Sequence, residues 1–230
     1  MNCIKNGQTT LFADILNEAI KDDLEGKDQR PLPKEHWFNQ NVSNEDDKTL
    51  LMVAIDKNAE QNFNKDEESF IGILLRSGAD PNLYNHDFNV TPLIYATKRK
   101  DLKAMRLLTQ FGADVNATSF NTGQTSLHHA NQMGFTVGVK FLLEQPNIDI
   151  NVKDKKGKQT PLFLAIKAQD EESIRLLIAH GADLDHQIRS KSIREHLKTK
   201  LPHIEPNMIP KVKAGLARQT SQSTLEKLGK

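Results

Sequence analysis

The side chains best suited to chemistry in this chain of 230 residues are one cysteine, Cys3, and eight histidines, two of which, His128 and His129, are adjacent. A cysteine nucleophile needs a base within hydrogen-bond reach, and no histidine is tethered near Cys3. Adjacent residues on a helix point about 100° apart, so His128 and His129 are poorly placed to chelate one metal ion. No second Cys or His cluster completes a four-ligand set. Gly123 and Gly157 stand outside any glycine-rich run that could cradle a phosphate. The expectation is therefore a protein without catalytic residues, metal or cofactor. A single cysteine also excludes an internal disulfide, which fits a reducing compartment.

Composition narrows the class further. Apolar residues make up 37% and charged residues 27%, with mean hydropathy −0.57. The longest stretch free of Asp, Glu, Lys and Arg, 115–139, is rich in Asn, Thr, Ser, Gln and Gly, so no membrane span is expected. Residues 1–10 lack the apolar core of a signal peptide, and the expected location is the cytoplasm or the nucleus. The formal net charge of +1 argues against a dedicated nucleic-acid binder. That near-neutral figure averages unlike parts. Residues 1–48 hold 6 basic and 10 acidic side chains, whereas 186–230 hold 10 and 3. The basic tail is the part that an acidic partner or surface would meet.

The elements that must position any functional side chain emerge from an internal repeat. TLLMVAI from Thr49, TPLIYAT from Thr91, TSLHHAN from Thr125 and TPLFLAI from Thr160 recur with their threonines 42, 34 and 35 residues apart. Each is followed by a second block: ILLRSGADPN from Ile73, LLTQFGADVN from Leu107, FLLEQPNIDIN from Phe141 and LLIAHGADLD from Leu176. Threonine before proline is a helix start, with the hydroxyl as cap and proline at the first helical position. Leu93 with Ala96, and Leu162 with Ala165, have helical spacing and should face a neighbouring unit. Gly78, Gly112 and Gly181 stand where a helix ends on a left-handed residue. The first unit carries eight extra residues around 58–68, expected as longer helices or a bulging loop. The third unit has Pro146-Asn147 in place of the glycine.

These two blocks resemble the ankyrin repeat, with its T-P-L-H-x-A start, its L-L run and its closing G-A-D-x-N. The resemblance covers about 60% of the chain and implies an all-α solenoid of stacked helix-turn-helix units joined by hairpin-like finger turns. The implied organisation is an N-terminal capping helix and linker at 1–46, with Leu11, Ile15, Leu16, Ala19 and Ile20 on the helix and Trp37-Phe38 tucked against the stack. An array at 47–185 follows, with repeats at about 47–82, 85–116, 121–151 and 154–185. A C-terminal cap at 186–204 and a basic, disordered tail at 205–230 complete it. A monomer is expected. His128 falls on the signature histidine, which implies a structural role in turn packing. Gly123 and Gly157 become finger-turn glycines.

The resemblance also implies a function: binding a partner protein through the concave helix face and the finger turns, with sequestration or scaffolding of a signalling factor as one use. The variable position of each motif start is Val53, Tyr95, His129 and Leu164, followed by Lys98, Arg99, Gln132, Met133 and Lys167. Asn85, Asp87, Asn89, Phe120, Asn121, Lys155 and Lys156 belong to the fingers. Asn116, with Leu108 eight residues before it, resembles the asparagines that are hydroxylated in such arrays, although its own turn already uses an asparagine side chain. Two alternatives stand beside this reading. One is the N-terminal cytosolic portion of a larger protein, such as an insect-type ankyrin-bearing cation channel; the other is an effector acting in a host cell. Coding sequence beyond Lys230 with apolar segments of about 20 residues would mark the channel.

The spacing places Ala130 on the face that meets the next helix pair. Ala130→Leu should overpack that contact and cost about 1–3 kcal/mol, measured as a lower urea midpoint. An unchanged midpoint would contradict the placement of the third unit.

Overall fold

In the computed structural model the described residues are 48–60, 70–76, 78–85 and 89–208. They form helix pairs in two layers. The first helix of each pair is α1 (Leu50–Glu60), α3 (Pro92–Lys98), α5 (Ser126–Gln132) and α7 (Pro161–Ala168). The second is α2 (Phe70–Arg76), α4 (Leu102–Gln110), α6 (Thr136–Leu143) and α8 (Glu171–Ala179). A short antiparallel pair, β1 (Gln187–Ile188) and β2 (Lys191–Ser192), precedes α9 (Ile193–Lys200). A 3-10 turn follows at Pro206–Met208. First helices stack on first helices, with α9 against α7, and α6 stacks on α8 in the other layer.

The starts of the first helices follow the expected chemistry. The hydroxyls of Thr91 and Thr160 accept the amides of Ile94 and Phe163, each with proline at the first helical position. Thr125 and His128 form a reciprocal capping box, and Ser192 and Glu195 form another at the start of α9. In the second layer Asp101 and Asp170 cap α4 and α8. The Asp170 carboxylate also accepts from the Thr136 hydroxyl of the preceding repeat at 2.9 Å, tying neighbouring second helices together.

The core is the seam between successive pairs. Leu93, Leu127 and Leu162 are buried together with Ala54, Ala96, Ala130 and Ala165, whose small side chains let adjacent helices approach. Ile193 and Leu197 of α9 are fully buried and cover the exposed flank of α7. The second helices contribute Leu74, Leu108, Leu142 and Leu177 to the same cluster.

The departures in the sequence have local answers. The eight-residue excess of the first unit begins as added helix: α1 has 11 residues against 7 in α3 and α5. Residues 61–69 lie outside the described residues, as do the head at 1–47 and the chain beyond 208, which takes in the expected N-terminal helix, Trp37-Phe38 and all of the expected disordered tail except 205–208, where the 3-10 turn stands instead. In the third unit Asn147 adopts φ +61°, the left-handed conformation that Gly112 supplies one repeat earlier. In the fourth finger the left-handed residue is Lys158, next to Gly157.

A polar ladder joins the closing turns. Asp80, Asp114, Asp149 and Asp183 each accept a backbone amide two residues ahead. The asparagine at the end of each motif reaches across to the next turn. Asn82 accepts from the Asp114 amide at 2.7 Å and donates to the Gly112 carbonyl at 3.1 Å. Asn116 accepts from the Asp149 amide and donates to the Asn147 carbonyl, both at 2.8 Å. Asn151 accepts from the Asp183 amide at 2.9 Å. The series ends at Asp185, which pairs with Arg194 instead. The Asn116 side chain is thus engaged by the adjacent turn at both its oxygen and its nitrogen.

Asn116→Ala should leave the Asp149 amide and the Asn147 carbonyl without these partners. A stability loss of about 1–3 kcal/mol is expected in equilibrium urea unfolding. A loss below a few tenths would show that solvent replaces the bridge freely.

Candidate partner-binding surface

The candidate surface is the one that the finger turns and the first helices line together. The fingers are held to one another through the backbone. The Phe120 amide donates to the Asn89 carbonyl at 2.9 Å, and the Lys155 amide donates to the Thr122 carbonyl at 2.8 Å. Each finger is also closed internally. The Ser119 amide donates to the Gln124 carbonyl, and the Asp154 amide to the Gln159 carbonyl. Asn85 is buried and accepts from the Val90 amide, so this expected finger contact is an internal brace. Asp87 lies outside the described residues. Phe120, 67% exposed, stands at a finger tip with the Lys155 ammonium 4.8 Å above its ring. Asn121 and Lys156 are exposed beside it.

The variable positions of the motif starts differ in accessibility. Val53 and Tyr95 are half-buried, but Leu164 is only 4% exposed and His129 only 9%. The latter two form the floor of the face rather than its contact rim. The accessible positions come one turn later: Lys98, Arg99, Gln132 and Lys167 are exposed and Met133 is half-buried.

Two of the expected contact residues are drawn into an internal cluster. The Tyr95 hydroxyl donates to both oxygens of Asp56, at 2.8 and 2.9 Å. Arg99 Nη2 lies 2.8 Å from Asp56 Oδ1, and Lys48 Nζ lies 3.0 Å from Asp56 Oδ2. Burial, then the Asp56 carboxylate, pushes the Tyr95 phenol above its ordinary value. The cluster joins the first two repeats, and half-exposed Arg99 adds to it modestly.

His128 and His129 have different environments despite their adjacency. His128 Nδ1 meets the Thr125 hydroxyl at 2.9 Å and its Nε2 meets the Gln159 carbonyl at 3.1 Å, linking the third helix pair to the fourth finger. His129 Nε2 is buried without a hydrogen-bond partner among the described residues. Burial, with Lys98 and His128 nearby, pushes its pKa down to about 4. His180 and His186 are half-buried and bond the carbonyls of Leu176 and Lys158. Among the described residues no group of three or more His, Cys, Asp or Glu is placed to hold a metal ion.

Where the third and fourth repeats meet, fingers and helices enclose a cleft of about 450 Å³. Gln132, Leu164 and Lys167 come together in its lining, with Lys156 from the finger. Thr122, Asp154 and Ala168 also line it, together with two glutamines missed as candidates, Gln124 and Gln159. Each immediately precedes the threonine that opens a first helix, so the Gln-Thr pairs in the sequence were the available signal.

Models of the ankyrin repeat match this chain over 59–154, as three copies, and over 157–189, as a single repeat. The chain belongs to the ankyrin-repeat family. Its relatives include delta-latroinsectotoxin-Lt1a of Latrodectus tredecimguttatus, 31% identical over 54% of this chain and 10% of the toxin. Rabankyrin-5 of Mus musculus is 27% identical over 62% of this chain and 12% of its own length. The human transient receptor potential cation channel subfamily A member 1 is 30% identical over 42% of this chain and 8% of the channel. The chain thus spans a small part of the length of these relatives. Ankyrin arrays are protein-interaction modules and generally non-enzymatic. No helix of the described residues is long and apolar enough to cross a membrane.

The lowered pKa of His129 makes a prediction for this module's stability. Its folded value lies below the ordinary 6.5, so the unfolded chain takes up the proton first and acid favours unfolding. Stability from this group is complete above about pH 6.5 and declines between there and about pH 4, by about 2 kcal/mol at pH 5. Burial lowers His128 too, which acts in the same direction. Urea midpoints measured from pH 7 to pH 5 should fall, and fall less for His129→Gln. An equal pH slope in the variant would remove His129 from this role.

Proposed function

We propose that this array binds a partner protein on the inner face formed by its first helices and fingers, holding or sequestering a signalling factor in the cytoplasm or nucleus. The observation that carries the reading is the cleft between the third and fourth repeats, where Gln132, Leu164 and Lys167 converge with finger residues. Its floor is apolar and its rim polar, the arrangement of a protein interface with a desolvated centre. The backbone links between fingers keep this surface ordered before a partner arrives, so little conformational entropy is lost on binding. Phe120, exposed at the finger tip, supplies an aromatic anchor of the kind that concentrates binding energy.

The test compares two variants of the full chain in quantitative capture of partners from the native cell. Gln132→Trp blocks the cleft, while Lys140→Glu alters the exposed side of α6 in the opposite layer. The expected result is a loss of about tenfold or more in partner recovery for the first only. Equal recovery for both, with folding verified by circular dichroism, would move the binding surface away from the inner face.

A further inference from the structure

The charge on the inner face is segregated from the charge on the rest of the array. Residues 49–185 contain slightly more acidic than basic side chains, 17 against 15. Yet α3, α5 and α7 carry no Asp or Glu at all, while Lys98, Arg99, Lys100 and Lys167 lie on or just after them. Exposed aspartates gather instead at the closing turns, at positions 80, 114, 149 and 183, and none of these lines the cleft. On the inner face Asp56 is already shared by Lys48, Tyr95 and Arg99.

Within the cleft the only carboxylate, Asp154, is 2% exposed and internally committed. Its Oδ1 accepts from the Gln159 amide at 2.9 Å, and its Oδ2 accepts from the side-chain amides of Gln159 and Gln124 at 3.3 and 3.4 Å. Gln159 turns its other end outward, where its oxygen lies 3.5 Å from Lys167 Nζ. The Lys167 ammonium also lies 5.9 Å from the centre of the Phe163 ring. Lys156 is the second ammonium in the lining, on an exposed finger residue. Neither lysine makes an ion pair among the described residues. The cleft therefore offers two ammonium groups against one buried carboxylate, a net charge of +1, with a neutral hydrogen-bonding side chain in Gln132 and an apolar floor at Leu164.

We infer that this cleft is a carboxylate-reading subsite, which seats a Glu or Asp side chain of an extended acidic segment in the partner protein between Lys156 and Lys167. The inference rests on the reading of the inner face as a protein-binding surface. A single buried carboxylate is matched by two lysines and an amide, whereas a polyanion such as a nucleic acid would meet the slightly acidic array beyond this patch. The alternation of polar rim and Leu164 floor suits a chain in which an acidic residue is flanked by an aliphatic one.

The experiment titrates the full isotope-labelled chain with short synthetic peptides in which Leu alternates with Glu, with Gln or with Lys, and with oligothymidine of the same charge as the Glu peptide. Amide resonances of Gln132, Gln159 and Lys167 report the site, and fluorescence anisotropy gives the affinity. The Glu–Leu peptide is expected to move these resonances and to bind about tenfold more tightly than the Gln–Leu peptide. The double variant Lys156→Glu, Lys167→Glu should reverse the preference in favour of the Lys–Leu peptide. Both positions are exposed, and the pair Lys156→Gln, Lys167→Gln gives a version without new charges that should lose the Glu–Leu preference. Equal binding of the Glu–Leu and Gln–Leu peptides at these resonances overturns the carboxylate assignment but leaves the inner face a protein-binding surface. Tighter binding of oligothymidine overturns it in favour of a polyanion. Resonances that no peptide moves overturn the subsite. If Gln132→Trp also leaves capture of the native partner intact, the wider reading falls with it.

Discussion

A helix pair with 7 to 11 residues per helix cannot stand alone, and everything else in this structure follows from that limit. Isolated helices of such length are marginal in water because nucleation costs more than a few hydrogen bonds return. Stability must come from burying one pair's apolar face on the next. The alanines at 54, 96, 130 and 165, all essentially inaccessible, set how closely those faces approach. The same limit governs the end of the array. α9, with Ile193 and Leu197 inward and a basic, polar outer face, covers α7 so that the last pair does not present an apolar flank.

Stacking by apolar contact alone would leave the closing turns and fingers free to slide. Here the backbone polar groups supply the register. The asparagines at 82, 116 and 151 each reach one repeat forward to an amide, and the fingers exchange amide-to-carbonyl bonds at Phe120 and Lys155. These bonds satisfy groups that would otherwise be costly to desolvate, and they hold each turn and each finger to the next. The cleft lies between the third and fourth fingers and the first helices that follow them. Its lining is drawn from two fingers and the first helix that follows each, about 30 residues apart in sequence, yet they are fixed relative to one another before anything binds.

Tyr95 shows how the candidate surface and the scaffold compete for the same side chains. Its ring sits on the inner face, but its hydroxyl is held by Asp56 of the preceding repeat, together with Arg99 and Lys48. The first two repeats thus use their variable positions to lock to each other, while the third and fourth leave Gln132, Lys156 and Lys167 available. His128 and His129 make the same point within one helix. One imidazole bridges a helix start to the next finger, and its neighbour, a hundred degrees round, forms part of the buried floor.

The repeat, the threonine-proline helix starts and the left-handed glycines were legible because they depend on local geometry, which residue type and spacing state directly. The left-handed turn at Asn147 came only with the structure, since the sequence showed no more than a missing glycine there, although asparagine tolerates that conformation. Exposure along the inner face was not legible. Leu164 and Lys167 are three residues apart in one helix, but which is floor and which is rim depends on how the neighbouring pair and the fingers cover them. Gln124 and Gln159 were passed over for the same reason: their roles come from Asp154, about 30 residues from one and five from the other. The amino-acid sequence determined the unit and its order, because each helix start and stop is written in a few adjacent residues. Only the tertiary structure decided which charges are neutralised and which remain free at the cleft, because that pairing is made across repeats.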